Sequence, residues 1–268
     1  SQGYGLIIGG NYQQSNIQGS GNSFNTGVNL SKYQKSVNVG YFDPYFTLDG
    51  ISRGFNLFFR RLDYDERYIA RYSTDSFGGG VNFGFPIGET QRIDFGASAE
   101  HTKLTSGYAA AQEIARFIDD NGQKAFFLKG NLSWTRSTLN RGVFADRGSS
   151  QSLALETTVP GSDLEFYKLT YSGERYFPVT RSWTLKLRTE LGFGGAYGDT
   201  SGLPFYEHFY AGGFGSVRGF ENSTLGPRST NPLDQNGQPV FYRQNGDSGE
   251  YGQPFGGNLL VEFSAELI

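Results

Sequence analysis

Alternation of apolar and polar side chains with a period of two residues most constrains what this chain can fold into. In residues 182–194 (SWTLKLRTELGFG) the apolar side chains share one face, namely Trp183, Leu185, Leu187, Leu191 and Phe193. The charged side chains share the other face, namely Lys186, Arg188 and Glu190. This period is typical of β-strands with two unlike faces and not of helices. The pattern recurs in residues 125–137 and 166–177, so the chain is predicted to be all-β.

Turn residues divide the chain into about eleven predicted strands, near residues 4–13, 23–32, 36–46, 51–64, 70–86, 91–104, 124–137, 150–159, 165–178, 182–197 and 258–268. Several exceed the roughly 9–11 residues that cross a bilayer at a tilt. Compact turns alternate with long connections, as in outer-membrane barrels, which carry short turns on one rim and long loops on the other. We therefore predict a transmembrane antiparallel β-barrel domain over residues 1–268, in which 198–257 form one long extracellular loop.

Composition and connection lengths argue against several classes of protein other than a membrane barrel. The 268 residues carry a formal net charge of −3 and contain no Cys and no Met. The nearly balanced charge does not indicate a basic surface that would bind nucleic acid. The lack of Cys excludes a disulfide framework or a thiolate metal site. A soluble β-sandwich does not explain why short and long connections are segregated. Bacterial single-chain barrels have even strand counts, so an odd count predicts that the chain is a piece of a larger barrel.

Residues that could carry covalent chemistry are few. The two histidines, His101 and His208, have no recognisable spacing to a partner, and structural roles are favoured for both. The acidic run at 63–67 (DYDER) could hold a hard cation, but a solvated loop tip is the favoured interpretation. Residues 109–118 (AAAQEIARFI) have helix-forming composition and predict a surface helix on a long loop. The sequence therefore predicts no enzyme, no cofactor and no metal.

A glycine-rich stretch at residues 204–227 (PFYEHFYAGGFGSVRGFENSTLGP) supplies the most specific motif. It closely resembles the sixth extracellular loop of the BamA family, the barrel subunits of the outer-membrane protein assembly machine. The core of the resemblance is the VRGF tetrapeptide, formed by Val217, Arg218, Gly219 and Phe220. VRGF alone marks a wider superfamily that includes translocation pores and organelle import barrels. The surrounding residues narrow the resemblance to BamA, and segments 43–52, 157–179 and 256–268 resemble BamA in the same order.

The resemblance implies a sixteen-stranded barrel in the outer membrane of a Gram-negative bacterium, preceded by periplasmic POTRA domains. It aligns the eleven strands with the second to the twelfth of that barrel. The POTRA domains, most of the first strand and the last four strands are expected to lie outside these residues. The implied partners are unfolded outer-membrane proteins as clients, the lipid bilayer, and assembly-machine lipoproteins that bind mainly through the POTRA domains.

The loop arginine needs an anion. In residues 260–267 (LVEFSAEL), Glu262 and Glu266 lie on the polar face, which faces the lumen of a barrel. A loop folded into the lumen would bring Arg218 to this acidic wall, and the resemblance favours Glu266 as its partner. An arginine can bind a carboxylate through two hydrogen bonds, and if the pair is buried, its removal costs about 3–5 kcal/mol. We expect Phe220 to pack against the barrel interior nearby. Four loop glycines would let the backbone turn tightly, with positive φ where it is needed, namely Gly212, Gly213, Gly215 and Gly219.

Three functions remain open at this point. A barrel whose closing strands pair poorly offers an edge that templates strand addition by a client, and it could disorder the nearby bilayer. A related pore of the two-partner secretion type would instead export a partner through its lumen. A passive porin is the third, although it gives the VRGF loop no particular purpose.

Overall fold

The computed structural model describes residues 6–64, 71–107, 110–241 and 252–268. They form one α-helix, α1 (Gln112–Asn121), and eleven strands: β1 (Ile8–Gln14), β2 (Ser23–Leu30), β3 (Gln34–Asp43), β4 (Ser52–Asp63), β5 (Tyr72–Pro86), β6 (Gln91–Ser106), β7 (Lys124–Ser137), β8 (Gly148–Thr158), β9 (Phe166–Pro178), β10 (Thr184–Ala196) and β11 (Leu259–Leu267). The prediction of an all-β fold with about eleven strands is confirmed. Three residues of the acidic run, 65–67, lie outside the described residues. In the described part of the chain, no helix is long and apolar enough to cross a membrane.

The strands form a single antiparallel meander in which each strand pairs with the next, from β1 to β11. Within the described residues, no pairing joins β11 back to β1, so the sheet is an open wall. Register fixes which residues share a face, because a shift of one residue would move every side chain to the opposite face. Between β10 and β11, Leu187 lies opposite Ala265 and Glu190 lies opposite Glu262.

One face of the wall is apolar and exposed. On β10 and β11, and immediately before β10, the exposed side chains include Trp183, Leu187, Phe193, Val261 and Phe263. None of these residues belongs to either buried cluster of the described chain. This is the arrangement expected when an apolar belt meets lipid.

The opposite face of β2 to β7 pairs asparagine with glycine across neighbouring strands. Asn38 lies opposite Gly27, and Asn131 lies opposite Gly96. A Cβ atom built on Gly27 would lie 2.6 Å from Asn38 Oδ1, and one on Gly96 would lie 2.7 Å from Asn131 Oδ1. Each amide therefore occupies space that any larger partner would fill, and these asparagine and glycine positions keep the inner face polar between its charged residues.

The buried core lies at the end of the wall where α1 and the long loop meet. One cluster contains Tyr72, Leu104, Ala111, Ile114 and Phe205, and a second contains Phe127, Leu164 and Phe166. The prediction of a surface helix is wrong for one side of α1, because Ile114 is 0% exposed. Ile114, Phe117 and Ile118 have the three- and four-residue spacing of a single helix face, and that face packs on the loop.

The two-faced wall makes a direct prediction for neighbouring residues of β4. Leu57 is exposed on the apolar face and Asn56 is exposed on the polar face. Leu57→Lys should lower the free energy of unfolding by about 2–4 kcal/mol if the site lies near the bilayer midplane. Asn56→Lys adds the same cation on the other face and should change it by about 0.5 kcal/mol or less. Urea unfolding of the natural protein refolded into lipid vesicles measures both, and equal losses would contradict the face assignment.

Candidate functional site at the loop and strands β10 and β11

Glycines on β10 leave room for the base of the loop on the inner face of the wall. The inward positions of β10 change from charged side chains at 186, 188 and 190 to Gly192 and Gly194. A Cβ atom on Gly192 would lie 2.8 Å from the Phe209 ring, and one on Gly194 would lie 2.6 Å from Leu203 Cδ2. The loop therefore lies directly on the strand from which it leaves.

The VRGF segment follows a tight turn that depends on glycine. Gly212, Gly213 and Gly219 have φ values of 108°, 104° and 92°, which side chains disfavour. Gly213 N–H donates to the carbonyl of Val217 at 3.2 Å. Gly215 has no positive φ, so its backbone conformation does not require glycine.

Three polar contacts join this turn to the wall. Arg218 Nη2 lies 2.6 Å from Glu266 Oε1 on β11. The hydroxyl of Ser216 donates to the carboxylate of Glu262 on the same strand. Arg188 of β10 donates from Nη1 to the carbonyl of Gly215 at 2.8 Å. The structure thus brings together Arg218, Glu266 and Glu262, and the backbone of the turn is held in addition by a wall arginine.

The wall under the turn carries an excess of negative charge. Glu190 and Glu262 lie directly opposite each other on β10 and β11, and facing like charges destabilise a sheet. Among the described residues, three carboxylates line the space under the turn, namely Glu190, Glu262 and Glu266, and a fourth, Glu174, lies opposite Arg188 on β9. Two wall cations offset them, since Lys186 Nζ lies 3.2 Å from Glu174 and Arg188 pairs with Glu190. Arg218 supplies a third cation from the loop.

The ion pair is more exposed than expected. The side chains of Arg218 and Glu266 are 60% and 34% exposed at β11, the last strand of the open wall, and a pair exposed to this degree contributes roughly 0.2–1 kcal/mol. Phe220 was expected to pack against the interior, but it is 54% exposed. Phe214 instead contacts the arginine, with its ring centroid 5.0 Å from Arg218 Cζ.

Sequence reasoning missed three members of this site. Ser216, Arg188 and Phe214 all contact the docked turn or the wall beneath it. Arg188 was placed correctly on the inward face of β10, but the alternation gives no indication of which loop atom it meets. A contact across 27 residues, as between Arg188 and Gly215, depends on the path of the loop.

Neither histidine is part of this site. The His101 ring lies 5.3 Å from the ring of Phe77. His208 Nδ1 lies 2.9 Å from the carbonyl oxygen of Phe255, and burial lowers the pKa of His208 below its ordinary value. The described residues contain no group of three or more His, Cys, Asp or Glu side chains suited to a metal ion.

Comparison with known families decides the assignment of the chain. The family model of the Omp85 superfamily domain matches residues 16–268. The chain belongs to the Omp85 superfamily. This family and the relatives described next place the Omp85 chain in the outer membrane of a Gram-negative bacterium.

The Omp85 chain is similar to two curated outer membrane protein assembly factors called BamA. It is 32% identical to the one from Neisseria meningitidis serogroup B over 98% of this chain and 32% of the relative. It is 22% identical to the one from Nitratidesulfovibrio vulgaris over 87% of this chain and 29% of the relative. The Omp85 chain thus spans about a third of the length of these relatives.

Solved structures show the same likeness. The structure of BamA from Haemophilus ducreyi lacking POTRA domains 1–3 matches with a TM-score of 0.84 and 27% identity, over 100% of this chain and 51% of that one. CdiB from Escherichia coli matches with a TM-score of 0.55 and 13% identity, over 82% of this chain and 42% of that one. The second likeness shows a shared fold alone.

The loop glycines of the Omp85 chain provide a matched pair of variants. Gly212→Ala places a side chain at φ 108° with its Cβ 2.6 Å from the carbonyl of Glu221, whereas Gly215→Ala meets open space. Gly212→Ala should cost about 1–2 kcal/mol of loop docking from backbone strain, and Gly215→Ala should cost little. Protease cleavage of the loop on intact cells measures docking. Equal cleavage of the two variants would show that the turn does not hold the loop.

Charge reversal tests whether Arg218 and Glu266 of the Omp85 chain interact directly. Arg218→Glu and Glu266→Arg should each lower the free energy of unfolding in lipid vesicles, because each places like charges together. The double variant should recover about 0.2–1 kcal/mol relative to the sum of the single losses. Strict additivity would mean that the two side chains do not stabilise each other.

Proposed function

We propose that the chain is part of the barrel wall of an outer-membrane protein assembly factor, which folds β-barrel proteins and inserts them into the outer membrane. The observation that carries the proposal is the likeness to BamA of Neisseria over 98% of the chain, at 32% identity. The likeness to the Haemophilus BamA structure, at a TM-score of 0.84, supports it independently. Both likenesses span the loop that carries VRGF.

The proposed mechanism uses no covalent chemistry, so the protein is not an enzyme. A seam between poorly paired strands presents unpaired N–H and C=O groups, to which a strand of an unfolded client can add. In lipid every backbone polar group needs a partner, and the seam provides partners while the client folds. A short apolar belt beside the seam would also thin the bilayer locally and lower the barrier to insertion.

The docked VRGF loop has a mechanical role in this proposal. Its arginine and serine offset the acidic side chains of β10 and β11, so the wall keeps its register while the seam opens elsewhere. The partners are unfolded outer-membrane proteins and the lipid bilayer. The assembly-machine lipoproteins are expected to bind mainly through POTRA domains, as the family resemblance implies.

A secretion pore of the two-partner type is the second candidate. The likeness to CdiB from Escherichia coli supports a shared fold, at 13% identity and a TM-score of 0.55. The two functions differ in the route of the client. An assembly factor releases it sideways into the bilayer, whereas a secretion pore passes it along the barrel axis.

Reconstitution of the natural protein separates these routes. Lipid vesicles with the protein should fold a urea-denatured outer-membrane barrel into the membrane at least about ten-fold faster than vesicles without it. The folded client should be extracted only by detergent. Arg218→Glu should slow this assembly, with part of the rate restored by adding Glu266→Arg. A client found in the vesicle interior, or no acceleration, would contradict the proposal.

A further inference from the structure

A further polar contact, separate from those of the VRGF turn, holds the loop to the wall eleven residues before Arg218. The carboxylate of Glu207 lies between two lysines of the wall. Its Oε2 is 2.9 Å from Lys168 Nζ on β9, and its Oε1 is 3.4 Å from Lys129 Nζ on β7. One loop residue therefore joins two strands between which a third, β8, lies in the sheet.

This contact is far less exposed than the VRGF pair. The side chains of Glu207, Lys168 and Lys129 are 19%, 21% and 11% exposed, against 60% for Arg218. Removing one partner of a pair with little solvent access costs much more than removing one partner of a solvated pair. Loss of the Glu207 contact is therefore expected to be costly.

Lys129 is held by further wall acids, at 3.2 Å from Glu100 and 3.4 Å from Glu156. Lys168 Nζ in turn lies 5.2 Å from the ring centroid of Phe209, two residues beyond Glu207. Burial acts to raise the pKa of Glu207, but the two ammonium groups outweigh it and hold that pKa below its ordinary value. The carboxylate is thus ionised at neutral pH.

Aromatic packing fixes the residues around Glu207. Phe205 is 4% exposed and makes edge contacts with Tyr72 and Phe117 at centroid distances of 4.8 Å and 5.2 Å. Phe209 lies over Gly192 on β10. The segment from 205 to 209 is therefore fixed to the wall on both sides of the acid, and the VRGF turn starts from this point.

We propose that Glu207 is a positioning residue: by bridging Lys129 and Lys168 it sets the point from which the loop reaches β11, so that Arg218 meets Glu266. The proposal deepens the proposed function, on which its importance for client assembly rests. The loop position itself can be measured without any client. Failure of this inference and failure of the assembly proposal are therefore distinguishable.

Spin-label distances report the loop position in the natural protein in lipid vesicles. The 268 residues contain no cysteine, so cysteine pairs can be introduced at chosen exposed positions. Glu221→Cys with Ser172→Cys reports the loop against β9, and Asn56→Cys with Ser172→Cys reports the wall alone; all three native residues are exposed. Double electron–electron resonance should give narrow distributions for both pairs.

Glu207→Gln should broaden the loop-to-wall distribution and raise the undocked fraction about ten-fold or more, as the loss of a hydrogen-bonded charge implies. The wall pair should stay narrow. Asp234→Asn is the matched control, since it removes an exposed acid of the same loop that accepts hydrogen bonds within its own turn. It should leave both distributions unchanged.

Lys168→Gln tests the same contact from the wall and decides the question if Glu207→Gln does not reach the membrane. The double variant should lose less than the sum of the two single losses, because both single variants remove the contact between Glu207 and Lys168. A loop distribution as narrow as the native one in either single variant would overturn the proposal. Equal broadening of the wall pair would also overturn it, since the damage would then be to the fold in general.

Discussion

In the core of a bilayer no water is available to hydrogen-bond the backbone N–H and C=O groups, so the chain itself must supply their partners. The rest of this structure depends on how the strands do so. The ladder from β1 to β11 pairs each strand with its neighbour and so assigns every residue to one of two faces. Apolar side chains on one face and polar ones on the other follow from the register. The inner face is therefore free to carry charges, and the loop uses them.

The loop is attached to the wall by contacts of different kinds. The VRGF turn is held by one ion pair and two hydrogen bonds to β10 and β11. The segment around Glu207 is held by ion pairs with little solvent access and by buried aromatic rings. A third attachment joins the loop to α1, where Glu113 accepts a hydrogen bond of 2.6 Å from Thr230 Oγ1. The loop is thus attached at three places: the segment around Glu207, the VRGF turn and α1.

The fold could be predicted from the sequence because alternation is a local property. It placed the strands within a few residues and put Glu262 and Glu266 on the same face. The loop contacts could not be predicted in the same way, because a loop of some sixty residues has no period. Glu207 stands among aromatic residues, and nothing local pairs it with Lys129 and Lys168, which lie 78 and 39 residues away. The buried side of α1 was missed for the same reason, since its partner Phe205 belongs to the distant loop.

The glycines of β10 beneath the loop make the sequence of the wall depend on the sequence of the loop. Gly192 and Gly194 leave space that Phe209 and Leu203 fill. A methyl group at either glycine would collide with these side chains. Exchange of this loop between two barrels by recombination would therefore give a poor fit unless the strand beneath it were exchanged as well. The fit therefore joins two parts of one chain, although more than sixty residues separate Gly192 from the strand that receives Arg218.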